Sequence, residues 1–175
     1  GTKVHDGRVK DLNKCISCLR CFETLMSLNS TGMPLECAIN PRTCNEYRYG
    51  DLEFDQDQHK VVVVGGGPGG MYAAMTLAKR GMDVTLMDRQ KELGGTINIA
   101  KLPPKKEKMQ WLIDNYAYKL DQLGVKVELG VEADVENIAA KHPDAVIIAA
   151  GSKPIVPKSL PGTDGSNPCR DALWY

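Results

Sequence analysis

The chain has 175 residues, and its 22 Lys and Arg balance 22 Asp and Glu, so the formal net charge is zero. This balance argues against a nucleic-acid or membrane-surface binder, because no net positive field would attract phosphates. The longest apolar runs, Val61–Val64 and Ala145–Ala150, are strand-sized and far shorter than the roughly 20 residues that span a bilayer. The length allows one sizeable domain and a small module.

Cysteines are concentrated near the start, where five of the six lie between Cys15 and Cys44; the sixth is Cys169. In a secreted mini-protein such a density predicts disulfides. The sequence opens on Gly1 without a secretion signal, so we expect a cut or a tag remnant there. A dinucleotide-type fold follows the cysteines, which favours a reducing cytoplasm and metal ligation.

The spacing of the first cysteines indicates a metal centre. Cys15-x-x-Cys18-x-x-Cys21 is similar to the first three ligands of ferredoxin-like clusters. A [4Fe–4S] cube needs one ligand for each iron, and Cys37 and Cys44 are the candidates for the fourth. The sequence therefore predicts an iron–sulfur cluster in this segment.

Two other chemistries remain open for these cysteines. Zinc usually takes two separated Cys pairs, or Cys with His, and His5 and His59 stand away from the motif. A thioredoxin-like dithiol is expected after a strand and at the start of a helix. Arg20 lies between two predicted ligands, where its charge would raise a cluster's potential unless the side chain is simply solvated.

From Lys60 to about Pro154, apolar runs alternate with amphipathic segments, the pattern of a parallel sheet with covering helices. The predicted fold class is α/β: a Rossmann-like parallel sheet with flanking helices, preceded by a small irregular cysteine-rich module. We predict strands at 61–64, 83–87, 125–129 and 144–150, and helices at 69–80, from Pro103-Pro104 to Gly124, and at 134–141. The predicted domains are 1–58 (cluster module and linker), 59–158 (dinucleotide-binding domain) and 159–175 (a tail or the start of a further domain).

A glycine-rich loop follows the first of these strands and carries the G-x-G-x-x-G of a dinucleotide site. Gly65 is expected to make the tight turn, Gly67 to let backbone approach a pyrophosphate, and Gly70 to bring the helix close to the sheet. The helix N-terminus, at Pro68 and Gly69, offers free N–H groups to phosphates.

Asp88 ends the second strand, at the spacing expected of the acid that accepts hydrogen bonds from the adenosine ribose. A carboxylate there would repel a 2′-phosphate, which disfavours NADP. Two sets of small residues favour FAD over NAD, because they leave room for a long ligand. They are Gly94-Gly95 after the second predicted strand and Ala149-Ala150-Gly151 at the end of the fourth. The remaining predicted cofactor-binding residues are Arg89, Gly94, Gly95, Ala150 and Gly151.

Taken together, these motifs occur in the same order as in one flavoenzyme family, and the sequence resembles that family. They are Cys15-Ile-Ser-Cys18-Leu-Arg-Cys21, Cys37-Ala-Ile-Asn40-Pro41-Arg42, the glycine loop, Leu93-Gly94-Gly95, Lys101-Leu-Pro103-Pro104-Lys105 and Asp144-Ala-Val-Ile-Ile-Ala-Ala-Gly151. The sequence resembles the C-terminal part of the old yellow enzyme-class NADH:flavin oxidoreductases that carry a cluster: 2,4-dienoyl-CoA reductase, enoate reductases and trimethylamine dehydrogenase.

The resemblance implies that Cys37 is the fourth ligand and that Cys44 is not one. It implies that electrons pass from NAD(P)H to FAD, through the cluster, to FMN and then to an enoate-type substrate. An FMN-bearing barrel and an NAD(P)H-binding domain, absent from this stretch, are the implied partners, and an oligomer is possible. The resemblance adds no catalytic residue in this chain, and the sequence offers none.

Three alternatives remain. Amine dehydrogenases send electrons outward from FMN and hold ADP in the equivalent site; their cysteine spacing is the nearer match. The small subunit of glutamate synthase also joins cysteines to an FAD fold, but with C-x-x-P-C, where this chain has Leu19-Arg20. A zinc-and-nucleotide sensor would contain zinc without iron or sulfide.

Overall fold

The computed structural model describes residues 2–32, 34–50 and 52–152. Its helices are α1 (Thr2–His5), α2 (Arg20–Thr31), α3 (Glu46–Tyr49), α4 (Pro68–Lys79), α5 (Ile97–Ala100), α6 (Gln110–Gln122) and α7 (Val135–Ala139). Its strands are β1 (Lys60–Val64), β2 (Asp83–Asp88), β3 (Lys126–Leu129) and β4 (Ala145–Ile148), with 3₁₀ turns at Val9–Asp11 and Glu107–Met109. The predicted tail beyond residue 152, with Cys169 and the third domain, lies outside the described residues.

The strands form a four-stranded parallel sheet in the order β3-β2-β1-β4. Val61 of the central strand β1 pairs with Val84 on one side and with Ala145 on the other. Helices α4 and α6 pack against each other, and α4 packs on β1 and β2. The predicted α/β Rossmann-like fold is confirmed.

The core lies between the sheet and these two helices. Val63, Leu86 and Met71 are completely buried, and Tyr116 and Leu120 of α6 are nearly so. Burying a side chain of this size contributes about 1.5–3 kcal/mol relative to leaving it exposed. The β-branched run in β1 and the helical spacing of the apolar residues in α6 therefore face one shared interior.

Several boundaries differ from the expectation. Pro103 and Pro104 lie in a turn rather than in a helix, and α6 begins only at Gln110 after a 3₁₀ turn. Helix α7 is shorter than predicted, because Asp134 is its N-cap and accepts from the Asn137 N–H at 2.7 Å. Strand β4 ends at Ile148, two residues before the predicted end.

The cysteine-rich stretch is more regular than the sequence predicts, because it contains the 12-residue helix α2. Its first turn carries Cys21, so the third predicted ligand lies on a helix rather than in a turn. Among the described helices, none is long and apolar enough to cross a membrane.

Candidate functional site

Two glycines allow β1 to turn sharply into α4. Gly65 has φ +113°, and a Cβ there would lie 2.3 Å from the carbonyl oxygen of Ala149. A Cβ on Gly70 would lie 1.8 Å from the carbonyl oxygen of Gly65. No side chain fits at either position without moving backbone, so the helix starts close against the end of the sheet.

The other side of the same loop is open. A Cβ on Gly67 or on Gly69 would meet nothing within 4 Å. Gly67 is the N-cap of α4 and offers no side chain to satisfy the first N–H groups of the helix. A 12-residue helix thus points its positive end and its unpaired amides into unobstructed space, the arrangement that binds phosphate.

Asp88 lies at the end of β2, directly beside this loop, and is 9% exposed. Its Oδ2 accepts from the Gly66 N–H at 2.5 Å, and its Oδ1 accepts from the Gln90 N–H at 2.7 Å. The carboxylate is therefore held in one orientation against the glycine loop. Its neighbour Arg89 is exposed.

A second glycine pair, Gly94 and Gly95, contacts the glycine loop. The Gly94 N–H donates to the Gly66 carbonyl at 2.9 Å, and a Cβ on Gly95 would lie 3.0 Å from the Gly67 Cα. Both residues have positive φ, +118° and +53°, so the turn requires glycine. Ala150 and Gly151 are exposed and follow the end of β4, where Ala149 contacts the loop. The structure thus gathers the glycine loop, Asp88, the second glycine pair and the end of β4 at one edge of the sheet.

The cysteine segment shows backbone strain between its predicted ligands. Ser17 and Leu19 have positive φ, +58° and +61°, which is uncommon for residues other than glycine. The Ser17 N–H donates to the Cys15 sulfur at 3.4 Å. Strain of this kind costs on the order of 1–3 kcal/mol per residue and concentrates at functional sites.

The five cysteines between Cys15 and Cys44 are free thiols, and Cys37 alone among them is partly buried. Within the described part of the chain, no three of their sulfur atoms lie within 4.8 Å of one another. Cys15, Cys18, Cys21 and Cys37 offer the number and type of donors that a [4Fe–4S] cube requires, one thiol for each iron.

A bridge of hydrogen bonds connects α2 to the residue before Cys37. Buried Thr24 donates to the Arg20 carbonyl at 3.1 Å, and its Oγ1 accepts from the Glu36 N–H at 3.0 Å. Arg20 donates to the Glu36 carboxylate at 2.9 and 2.6 Å and also pairs with Glu23. The hydrogen bond to Glu36 is the largest cause of the raised pKa of Arg20. The charge of Arg20 is thus balanced by two carboxylates, and its structural role is to join α2, which carries Cys21, to the segment that carries Cys37.

Cys37 itself packs against the core of the dinucleotide fold. Ile39, two residues on, is buried, and the Tyr116 hydroxyl donates to its carbonyl at 3.5 Å. Burial, with the nearby Tyr72 and Cys37, raises the pKa of Tyr116 to about 12. The phenol therefore remains a donor throughout the physiological range.

Two lysines lie beside the segment of the predicted ligand Cys15. Lys108 donates to the Ser17 hydroxyl at 3.1 Å, and Lys108 and Lys14 both lie over the Trp111 ring, at 5.9 and 5.5 Å from its centroid. The sequence carries no signal for these residues, or for Thr24 and Glu36, because nothing in the spacing connects them to the cysteines.

His59 lies directly before β1 and forms an ion pair with Asp55 at 2.9 Å. The hydrogen bond to Asp55 raises the pKa of His59, whereas the His59 backbone N–H is the main cause of the lowered pKa of Asp55. This agrees with the expectation that His59 belongs to the surface and not to the cysteine centre.

Comparison with known proteins identifies the family. The family described as pyridine nucleotide-disulphide oxidoreductase matches residues 59–172. A NADH oxidase of Thermoanaerobacter brockii is 42% identical over 173 residues, which cover 98% of this chain and 26% of the relative. A cinnamate reductase of Clostridium sporogenes is 38% identical over 142 residues, 81% of this chain and 21% of the relative.

Solved structures agree with this result. A 2-naphthoyl-CoA reductase in complex with 2-naphthoyl-CoA has a TM-score of 0.85 and 34% identity, over 94% of this chain and 24% of the other. Histamine dehydrogenase from Rhizobium sp. 4-9 has a TM-score of 0.78 and 28% identity, over 87% of this chain and 22% of the other. The chain spans about a quarter of the length of the curated relatives it matches. The resemblance to the cluster-carrying NADH:flavin oxidoreductases of the old yellow enzyme class is confirmed, and the chain belongs to the pyridine nucleotide-disulphide oxidoreductase family.

Proposed function

We propose that this chain is the electron-transfer part of a multi-domain flavin and iron–sulfur oxidoreductase. The observation that best supports it is that both candidate sites adjoin one core. The α2–Glu36 bridge holds the cysteine segment, and the core against which Cys37 packs includes residues of β1 and α4, which flank the glycine loop. We assign residues 1–58 to the cluster module and linker, and residues 59–158 to the dinucleotide domain.

The metal site of the proposal consists of Cys15, Cys18, Cys21 and Cys37 around a [4Fe–4S] cluster, which supplies one-electron transfer when bound. Four cysteines without a disulfide, a strained loop between the first three of them and an amide directed at Cys15 support it. The chain's own contribution is to hold these sulfurs and to supply N–H donors to them, which together set the potential.

The dinucleotide of the proposal is FAD. Its pyrophosphate would lie on the open side of Gly67 at the N-terminus of α4, and Asp88 would accept from the adenosine ribose. The Gly94–Gly95 turn, packed against Gly66 and Gly67, supports a ligand that extends past the first loop.

In the longer protein, we propose that NAD(P)H reduces FAD and that electrons pass singly through the cluster to FMN in a barrel domain. The two electrons then reduce a C=C bond of an enoate-type substrate, which also takes up two protons. Similarity to a cinnamate reductase and to a naphthoyl-CoA reductase supports this class of substrate. The protein is proposed to work in the cytoplasm.

An amine-dehydrogenase-type member is the second candidate. The Cys15-x-x-Cys18-x-x-Cys21 spacing and the similarity to histamine dehydrogenase favour it. It would hold ADP where the first candidate holds FAD, and electrons would leave the FMN through the cluster.

The test is purification without oxygen, followed by assays of iron, sulfide, zinc and bound nucleotide. We expect iron and sulfide in the one-to-one ratio of a cube, with FAD for the first candidate or ADP for the second. Cys37→Ser should abolish the cluster. The matched control is Cys44→Ser, since Cys44 is exposed and is proposed not to be a ligand.

Zinc in place of iron would refute the proposed cluster and support a zinc-and-nucleotide sensor. Loss of iron in Cys44→Ser with retention in Cys37→Ser would show that the ligand assignment is wrong. A preparation with a cluster but with no affinity for FAD or ADP would refute the dinucleotide half of the proposal alone.

A further inference from the structure

Cys37 differs from the other proposed ligands in what holds it. Cys15, Cys18 and Cys21 are exposed, whereas Cys37 is partly buried and packs against the core. The Cys37 carbonyl accepts from the Asn40 N–H at 3.2 Å, so residues 37–40 form one turn. The contacts that hold the turn of residues 37–40 therefore also fix the position of the Cys37 sulfur.

The turn is held on its core side by a tyrosine. Ile39 is 6% exposed and Tyr116 is 4% exposed, and the Tyr116 hydroxyl is directed at the Ile39 carbonyl. A buried hydroxyl must find a partner, and a phenylalanine would fill the same space without that requirement. Every described buried side-chain nitrogen or oxygen has a partner, and the one for this hydroxyl is the carbonyl of the ligand turn.

The same tyrosine also contacts the dinucleotide helix. Its ring lies against Tyr72, with the two ring centroids 5.9 Å apart and the planes tilted by 48°. Tyr72 is in the first half of α4, the helix whose N-terminus forms the open phosphate-binding end. One aromatic pair therefore connects the turn that carries Cys37 to the helix of the dinucleotide site.

We propose that Tyr116 is a positioning residue for the fourth cluster ligand: its hydroxyl holds the Cys37 turn, and its ring fixes that turn relative to α4. This inference rests on the proposed function, because it concerns Cys37 as a ligand. The inference extends the proposed cluster site by one residue of α6, Tyr116, which belongs to neither the cysteine motif nor the glycine motif.

Tyr116→Phe tests the hydroxyl alone, because Phe keeps the ring and its packing on Tyr72. Tyr118→Phe is the matched control: it removes a hydroxyl from the same helix, where the ring is half-buried beside Lys10. Both variants are made in the 175-residue chain, and their melting transitions are compared with that of the wild type.

The first readout is alkylation of the reduced, metal-free chain with iodoacetamide, followed at each cysteine by peptide mass spectrometry. The bond is long at 3.5 Å, so its loss should expose Cys37 slightly and speed its alkylation by about twofold to threefold. The rates at Cys15 and Cys44 should not change, and Tyr118→Phe should match the wild type throughout.

The second readout is the cluster itself, reconstituted without oxygen. Tyr116→Phe should keep its iron but change the midpoint potential and the EPR spectrum of the reduced cluster, and Tyr118→Phe should change neither. If Tyr116→Phe leaves the potential and spectrum unaltered, the proposal is overturned, whatever the alkylation rate. If the wild-type chain takes up no iron, the proposed function fails and this inference fails with it. If the wild type takes up iron and Tyr116→Phe leaves its cluster unaltered, only this inference fails, so the two failures are distinguishable.

Discussion

Replacement of Gly70 by alanine tests whether α4 starts as close to the sheet as the structure indicates. The added Cβ would lie 1.8 Å from the Gly65 carbonyl oxygen and 3.0 Å from its carbonyl carbon. Contacts of a real Cβ are essentially never shorter than 3.0 Å. Either the helix or the turn at Gly65 must therefore move by more than an ångström.

The cost can be estimated from overpacking. Forcing one extra carbon into a packed interior typically costs about 1–3 kcal/mol, and more when backbone must move. Here both neighbours are backbone, so we expect the free energy of unfolding to fall by about 3 kcal/mol or more. For a chain of this size that corresponds to a fall in melting temperature of about 6–12 °C.

Gly69→Ala is the matched control. It adds the same carbon one residue earlier in the same helix, where it would meet nothing within 4 Å. Alanine is preferred to glycine in a helix by up to about 1 kcal/mol, so this variant should be as stable as the wild type or slightly more stable.

The measurement is urea unfolding monitored by circular dichroism. Each variant is also titrated with ADP. Gly70→Ala should unfold at lower urea than both the wild type and Gly69→Ala. Equal midpoints for the two alanine variants would refute the close approach of α4 to the Gly65 turn, because only one of the two added carbons has space.

Three further outcomes are expected. Asp88→Asn should weaken ADP binding measured by calorimetry and reduce the discrimination against a 2′-phosphate, because a neutral amide does not repel it; unchanged preference would exclude Asp88 from the ribose site. Thr24→Val should lower the free energy of unfolding by about 1–3 kcal/mol, because the Glu36 N–H loses its buried acceptor, and an unchanged unfolding curve would contradict this bridge. The Asp55–His59 pair should stabilise the wild type over His59→Gln below pH 6.5, the ordinary pKa of His. That advantage should disappear as pH rises through the raised pKa of His59, and also as it falls below 3.8 through the lowered pKa of Asp55; a pH-independent difference in melting temperature would count against the ion pair.

The dinucleotide fold was predictable because its signals are local. The valine run of β1 and the glycines of the loop each specify their own conformation within a few residues. The glycine motif even predicts which positions are crowded, since Gly65 and Gly70 have no room for a Cβ and Gly67 does. What each glycine does for a ligand stays a prediction.

Helix boundaries were less predictable, because the same residue suits two conformations. Proline fits the first turn of a helix and also a β-turn. At Pro103 and Pro104 the turn is adopted, and the chain then passes through Lys105 at φ +66° before α6 begins.

Helix α2 had a signal that the sequence analysis did not use. Phe22, Leu25 and Met26 have the i, i+3, i+4 spacing of one helix face, yet all three are at least half exposed in this chain. The residues that hold α2 in place are polar: Thr24 bonds to Glu36, which is 12 positions away. No periodicity encodes a bond at that separation, so the bridge could be found only from the structure.

The four proposed ligands are held in place in two different ways, and this difference has a physical consequence. Cys37 begins the turn of residues 37–40, and Ile39 within that turn is part of the core. The turn should therefore persist as long as the dinucleotide domain is folded. The segment from Cys15 to Cys21 has only Ile16 packed against that core, with the polar bridge of α2 beside it. Metal binding would therefore stabilise this segment much more than the sheet, because ligation adds most where the free chain is held least. Removal of the metal should loosen the cysteine segment and leave the glycine loop with its ability to bind a dinucleotide.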